Sequence, residues 1–178
     1  MGHRAAAVGV LVLVPVMAWA GQPGKAAEAL SSRLRPTSAA AAATLASALE
    51  RSETLRTLAA TIETSDLRVY VETSEEPGAW RGGTRFVAVA GDVRMLTVTL
   101  NGSLAPREKL AVLGHELQHV CEVAADLTVT SQARMKQLFE QIGHLVNPKG
   151  VARENVYETA AAQRVEYQVR VEVAQKKR

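Results

Sequence analysis

Residues 106–126 impose the tightest constraint on how this chain folds. Leu110, Leu113, Leu117, Val120 and Ala124 recur at helical spacing and form one apolar seam, while His115 and His119 fall on the opposite side. Pro106 suits the first turn of a helix, and the periodicity continues through about Asp126. Such a helix must pack its seam on a core and turn two imidazoles toward another surface. Ala111 and Val112 flank the histidines, so that surface is expected to be a partly apolar cleft.

Histidines four residues apart lie one turn above each other and can offer two ring nitrogens to one Zn2+ at about 2.0–2.1 Å each. Glu116 sits about 100° around the helix from His115. From there its carboxylate can reach a zinc-bound water without becoming a ligand, which is the general-base role in metallopeptidases. A catalytic zinc site takes three protein ligands, so a third has to be found. Cys121 points to the side of the helix and reads as a small buried hydrophobe. Asp126 lies about 10 Å along the axis from His119, too far to share an ion. Glu122 reads equally well as a residue orienting an imidazole and as a solvated helix residue. His144, beside Gly143 near a helix end, reads as a capping or surface histidine.

A last helix is expected from about Ala152 to Gln175. On it, Glu158 heads an apolar stripe of Ala162, Val165 and Val169. A carboxylate facing a core needs a partner, and a metal held by two histidines supplies one. Glu154, one turn earlier, is the alternative ligand. Both glutamates also suit the N-terminal turn of a helix through its dipole.

Elsewhere the Ala-rich stretch after Thr37-Ser38 runs to about Glu63 as a long helix or a helix pair. Leu67–Glu72 alternates apolar and polar residues as a strand does, and Thr73 to Gly83 reads as a loop. Arg85–Ala90 and Val93–Leu100 flank a Gly91-Asp92 hairpin signal, and three strands in succession favour an antiparallel sheet. A further helix is expected over Ser131–Leu145, broken by Asn147-Pro148-Lys149-Gly150. Asn101-Gly102-Ser103 reads as a turn after the strand.

Composition narrows the class. Aromatic residues are 4% and apolar residues 47% of 178, as suits one α-rich or α+β globular domain. Lys and Arg number 21 against 18 acidic residues, with no basic cluster interleaved with aromatics, so a nucleic-acid partner is not expected. Residues 1–20 have a short positive start, an apolar run from Ala5 to Met17 and small residues at Ala18 and Ala20. They read as a signal peptide, with no stable membrane insertion after its removal. Residues 21–36 then form a flexible lead-in and residues 37–178 a single domain. The protein is expected to be exported, either periplasmic or secreted. Its single cysteine cannot form an internal disulfide, so packing or metal must hold the domain.

Ser65–Glu72, Gly114–His119 and Tyr157–Ala162 together resemble a group of small exported bacterial proteins of the zincin type. Two histidines followed by a later glutamate are similar to the gluzincin arrangement. The likeness spans roughly residues 45–175. It implies a zincin-like α+β fold, with a small antiparallel or mixed sheet packed against an active-site helix and a C-terminal ligand-bearing helix. It also implies one zinc ion held by His115, His119 and Glu158, with Glu116 as base, acting on a peptide or protein substrate. In zincins a strand bordering the cleft pairs with substrate, a role that falls here on Arg94 to Leu100. Tyr157, Tyr167 and Arg164 are the nearby residues able to stabilise an oxyanion. The metzincin glycine and third histidine are absent, and so is the Asn-Glu-x-x-x-Asp segment of thermolysin-like enzymes. The competing readings are a non-catalytic zinc-binding envelope protein and a protein-interaction module.

Overall fold

The computed structural model describes residues 32–75, 80–146 and 156–175. The signal segment, most of the lead-in, Glu154 and the Asn147–Gly150 break lie outside them. Among the described residues the chain is α+β, with a small mixed sheet and five helices. In order these are β1 (Leu34–Pro36), α1 (Ala39–Arg51), α2 (Glu53–Glu63), β2 (Leu67–Ser74), β3 (Gly82–Ala90) and β4 (Val93–Asn101). There follow α3 (Pro106–Ala125), α4 (Gln132–Ile142), β5 (His144–Leu145), β6 (Tyr157–Glu158) and α5 (Ala160–Gln175). Among these elements no helix is long and apolar enough to cross a membrane.

The Ala-rich stretch is a helix pair because Ser52 interrupts it. Ser52 adopts an extended backbone and its hydroxyl accepts the Leu55 amide at 3.0 Å, capping α2 as Ser38 caps α1. Alternation in β2 buries Leu67, Val69 and Val71 completely, and Leu96, Val98 and Leu100 of β4 continue the same surface. Leu45, Leu55 and Ile62 from the first two helices and Leu113, Leu117 and Val120 from α3 pack there, each at about 1.5–3 kcal/mol for full burial. The seam predicted for residues 106–126 is therefore the one that reaches the core.

The sheet corrects three expectations. Its order is β1-β2-β4-β3, and β2 pairs parallel with both β1 and β4; only β3 and β4 are antiparallel. The β3–β4 hairpin forms as the Gly91-Asp92 signal predicts, with Gly91 at φ +59°, but it inserts β4 rather than β3 beside β2. β4 is thus an interior strand with both edges paired, so Arg94 to Leu100 cannot offer a backbone edge to a substrate. Residues 34–36, expected in the lead-in, are instead β1, whose pairing sets Leu34 opposite Val69 and leaves Leu34 1% exposed. A three-residue strand has too little alternation to register as one in sequence.

The last helix begins at Ala160, not near Ala152. Val156 is irregular, and Tyr157-Glu158 pairs as β6 with β5. Glu158 consequently lies two residues before α5 rather than on it. Thr159 is the cap: its hydroxyl accepts the Ala162 amide at 3.1 Å and its carbonyl accepts the Gln163 amide. Helix α4 likewise stops at Ile142, and His144-Leu145 is strand.

Candidate metal centre

Helix α3 carries the first half of the centre. Its backbone passes unusually close to α5 at Gly114, where a Cβ would stand 2.8 Å from Val169 Cγ2 and 3.3 Å from Val165 Cγ1. Only glycine permits that approach, and it brings the segment around Glu158 over the next turn of α3, where His115 and His119 sit.

There three ligand atoms converge. His115 Nε2 and His119 Nε2 are 3.2 Å apart, and Glu158 Oε2 lies 2.7 Å from the first and 3.7 Å from the second. Tetrahedral zinc with bonds of about 2.0–2.1 Å sets its ligand atoms about 3.3 Å apart, which falls within this spread. Glu158 Oε2 is shielded from solvent and, among the described residues, has no aligned hydrogen-bond partner despite its short contact with His115. A buried carboxylate oxygen left in that condition is costly unless a cation meets it. The cluster His115, His119 and Glu158 can therefore hold a metal ion, and the structure brings together the three residues expected from the sequence, with Glu158 supplied from a strand.

Charge around the cluster points the same way. Burial opposes protonation of His115, but the carboxylates of Glu158 and Glu166 outweigh it and hold its pKa up to about 10. Burial is likewise overcome at His119, chiefly by Glu122 and Glu158, to about 9. Burial would raise Glu158, yet the two imidazoles pull it down to about 2. The side chains thus favour two positive charges between these carboxylates, which a divalent ion supplies in place of two protons.

Two surrounding contacts were open or missing in the sequence reading. Glu122 Oε2 lies 2.8 Å from His119 Nδ1, and its other oxygen accepts the Thr159 hydroxyl at 2.7 Å, so Glu122 orients an imidazole rather than facing solvent. Glu166 was not foreseen. Its Oε2 is 3.0 Å from His115 Nδ1, and Oε1 accepts from Arg81 and Arg170, each at 2.7 Å. Glu166 and Arg170 stand four residues apart on a helix, the spacing of an ordinary ion pair, and nothing local signals the histidine beyond.

Glu116 is 6% exposed, and burial raises its pKa. The Thr84 hydroxyl donates to its Oε2 at 2.9 Å. Its Oε1 lies 3.1 Å from where a Gly82 Cβ would be, so any side chain at that position would crowd this oxygen. His115, Glu116 and Glu158 line a cleft of about 660 Å3 with Arg81, Gly82, Val112 and three aliphatic residues of the β5–β6 region. The partly apolar cleft expected beside Val112 is present.

The remaining candidates fall elsewhere. Cys121 is only partly buried, packed against the core, and burial pushes its thiol up to about 12. His144 is exposed on β5. Asn101 closes its turn by accepting from the Ser103 amide and hydroxyl. Tyr167 is 66% exposed, and it lines an outer depression with Arg164; Tyr157 packs on the core. None of these three lines the cleft, where among the described residues the cation is Arg81. No family model, curated protein or solved structure matches the chain.

Proposed function

We propose that the protein is a zinc-dependent peptidase of zincin-like fold, acting in the cell envelope or outside the cell. The observation that carries this reading is Glu116: a buried carboxylate lining the cleft beside the His115-His119-Glu158 cluster, with one oxygen held by Thr84 and no side chain at Gly82 to crowd the other. A structural metal site has no use for such a group, which is why the catalytic reading is preferred to a non-catalytic zinc protein or an interaction module. The proposed compartment rests on residues 1–20.

His115, His119 and Glu158 would hold one zinc ion, which when bound supplies Lewis acidity to water and to a carbonyl. The chain supplies the rest. Glu116 takes a proton at Oε1 and returns it to the leaving amine, while Thr84 fixes the other oxygen so that the carboxylate does not swing onto the ion. Among the described residues no strand pairs with the outer side of β3, so it offers the edge that β4 lacks. The Phe86 amide faces away from β4 and donates to Gln132 Oε1 at 2.8 Å. With period two, the backbone groups of Thr84 and Gly82 face the same way, toward an extended peptide lying along the cleft.

Zinc content per chain of the purified protein tests this reading, measured beside His115→Ala, Glu158→Ala and Glu116→Gln. A ratio near one is expected, lost in His115→Ala, lowered in Glu158→Ala and kept in Glu116→Gln, with cleavage of a peptide library by the wild type alone among wild type and Glu116→Gln. Absence of zinc after resupply, or equal cleavage by Glu116→Gln, would overturn it.

A further inference from the structure

We propose that Glu166 is a positioning residue for His115, and that Arg81 and Arg170 hold it in that role. The inference rests on the zinc reading above and extends it to residues outside the ligand set. An imidazole presents Nε2 to a metal only when its proton sits on Nδ1, and a carboxylate facing Nδ1 fixes that tautomer and the ring's orientation. His119 receives this service from its own helix, through Glu122 three residues on. The position three residues after His115 is Gln118, a neutral amide engaged with Glu122. Ala111 and Val112, on the preceding turn, carry no acceptor. An acceptor for His115 therefore has to come from another element, and Glu166 of α5 is placed there.

Its surroundings distinguish this role from a plain interhelix ion pair. The Glu166 side chain is 13% exposed, and its two oxygens are divided: Oε1 takes both guanidinium groups, and Oε2 is turned to the His115 ring. Both arginines also engage Glu108 in the first turn of α3, Arg170 at 2.9 Å. Arg81 and Arg170 thus have a carboxylate partner without Glu166. Their joint effect is to anchor its inner end between the start of β3, α3 and α5. The His115 Nδ1 hydrogen is not aimed along the 3.0 Å line to Oε2. On this proposal, turning the ring to bring Nε2 onto the ion would align that hydrogen with Oε2. Because Glu158 and Glu166 flank the start of α5, docking that one helix delivers both a ligand and the orienter of another ligand.

The test is zinc affinity by competition with a chromophoric chelator, using the full chain as wild type, Glu166→Ala, Glu166→Gln and Arg170→Gln. Cobalt absorption spectra and metal-free denaturation curves of the same set accompany it. Glu166→Ala should weaken zinc binding by about 10–100-fold. Glu166→Gln, whose amide oxygen still accepts from Nδ1, should recover part of that loss, and Arg170→Gln should weaken binding less than Glu166→Ala. The cobalt bands should shift in Glu166→Ala without loss of stoichiometry. Unchanged zinc affinity and cobalt spectrum in Glu166→Ala and Glu166→Gln, with only metal-free stability reduced, would leave Glu166 as an ion-pair residue and overturn the inference while sparing the zinc reading. A wild type that binds neither metal would overturn both.

Discussion

His115, Glu116 and His119 come from consecutive turns of α3, whereas Glu158 and Glu166 come from a two-residue strand and the helix behind it, and the two regions are secured differently. Helix α3 is buried along most of its length, and its C-terminal end is clamped by Arg94. Arg94 is 3% exposed, and its guanidinium donates to the carbonyls of Val123, Ala124, Asp126 and Val129 and meets both oxygens of Asp66. The β6–α5 region has a half-buried strand, one threonine cap and a helix seated on α3 by Gly114. In the first region the spacing of the candidate ligands is a property of the helix itself. In the second it exists only after docking.

The largest effect is expected from preventing that docking. Gly114→Leu sets carbon atoms where Val165 and Val169 already are, at a cost of about 3 kcal/mol. It should also abolish zinc binding, although no proposed ligand is touched. Chemical denaturation together with zinc content checks this. A folded Gly114→Leu with full zinc would show that α5 is not what carries the second half of the centre.

Arg94→Met probes the other region, leaving the carbonyls of Val123, Ala124, Asp126 and Val129, at and just beyond the end of α3, without this donor. It should cost about 3 kcal/mol, yet zinc per folded chain should stay at the wild-type ratio, because helix geometry still spaces His115 and His119. Loss of zinc from the folded fraction would erase the contrast between the regions.

That contrast also explains what the sequence made legible. A seam of Leu110, Leu113, Leu117 and Val120 with two histidines opposite is a periodic signal within one element, and its helix, burial and cleft follow directly. Glu158 was legible as a residue, from its place at the head of the Ala162–Val165–Val169 stripe, but its strand was not. Thr159 before three alanines is a cap signal that would have started α5 correctly. The order of β2, β4 and β3 had no local trace, since alternation fixes which face a residue takes and says nothing about which strand lies beside it. Glu166 depends on a contact between residues 51 positions apart in the chain, and only the fold creates it.

A smaller effect is expected at the junction of the two regions. Thr159 caps α5 and donates to Glu122, the carboxylate that faces His119. Thr159→Ala should cost about 1 kcal/mol through the cap and weaken zinc binding several-fold through Glu122. Thr159→Ser keeps both hydrogen bonds and should restore both quantities. Denaturation midpoints and chelator competition separate the two losses. Recovery of stability without recovery of affinity would detach the cap from the centre.

The smallest effect concerns acid. Each region has a clamp containing a carboxylate held below its ordinary range: Asp66 by hydrogen bonds from Arg94 at α3, and Glu172 at α5. At Glu172, burial acts upward and is overcome by the hydroxyls of Ser52 and Thr54. A carboxyl whose folded pKa is depressed stabilises the fold above its unfolded value, and that contribution is lost as pH falls through the folded value. Wild-type stability should therefore decline as pH drops below the ordinary carboxylate range. Asp66→Asn and Glu172→Gln should each remove part of that decline, seen as a flatter dependence of denaturation midpoint on pH. Raised salt should shrink the Asp66 contribution more, because it comes from an ion pair about a third open to solvent, whereas the partners of Glu172 are uncharged. Equal salt sensitivity would mean that the two regions are pinned by the same kind of force after all.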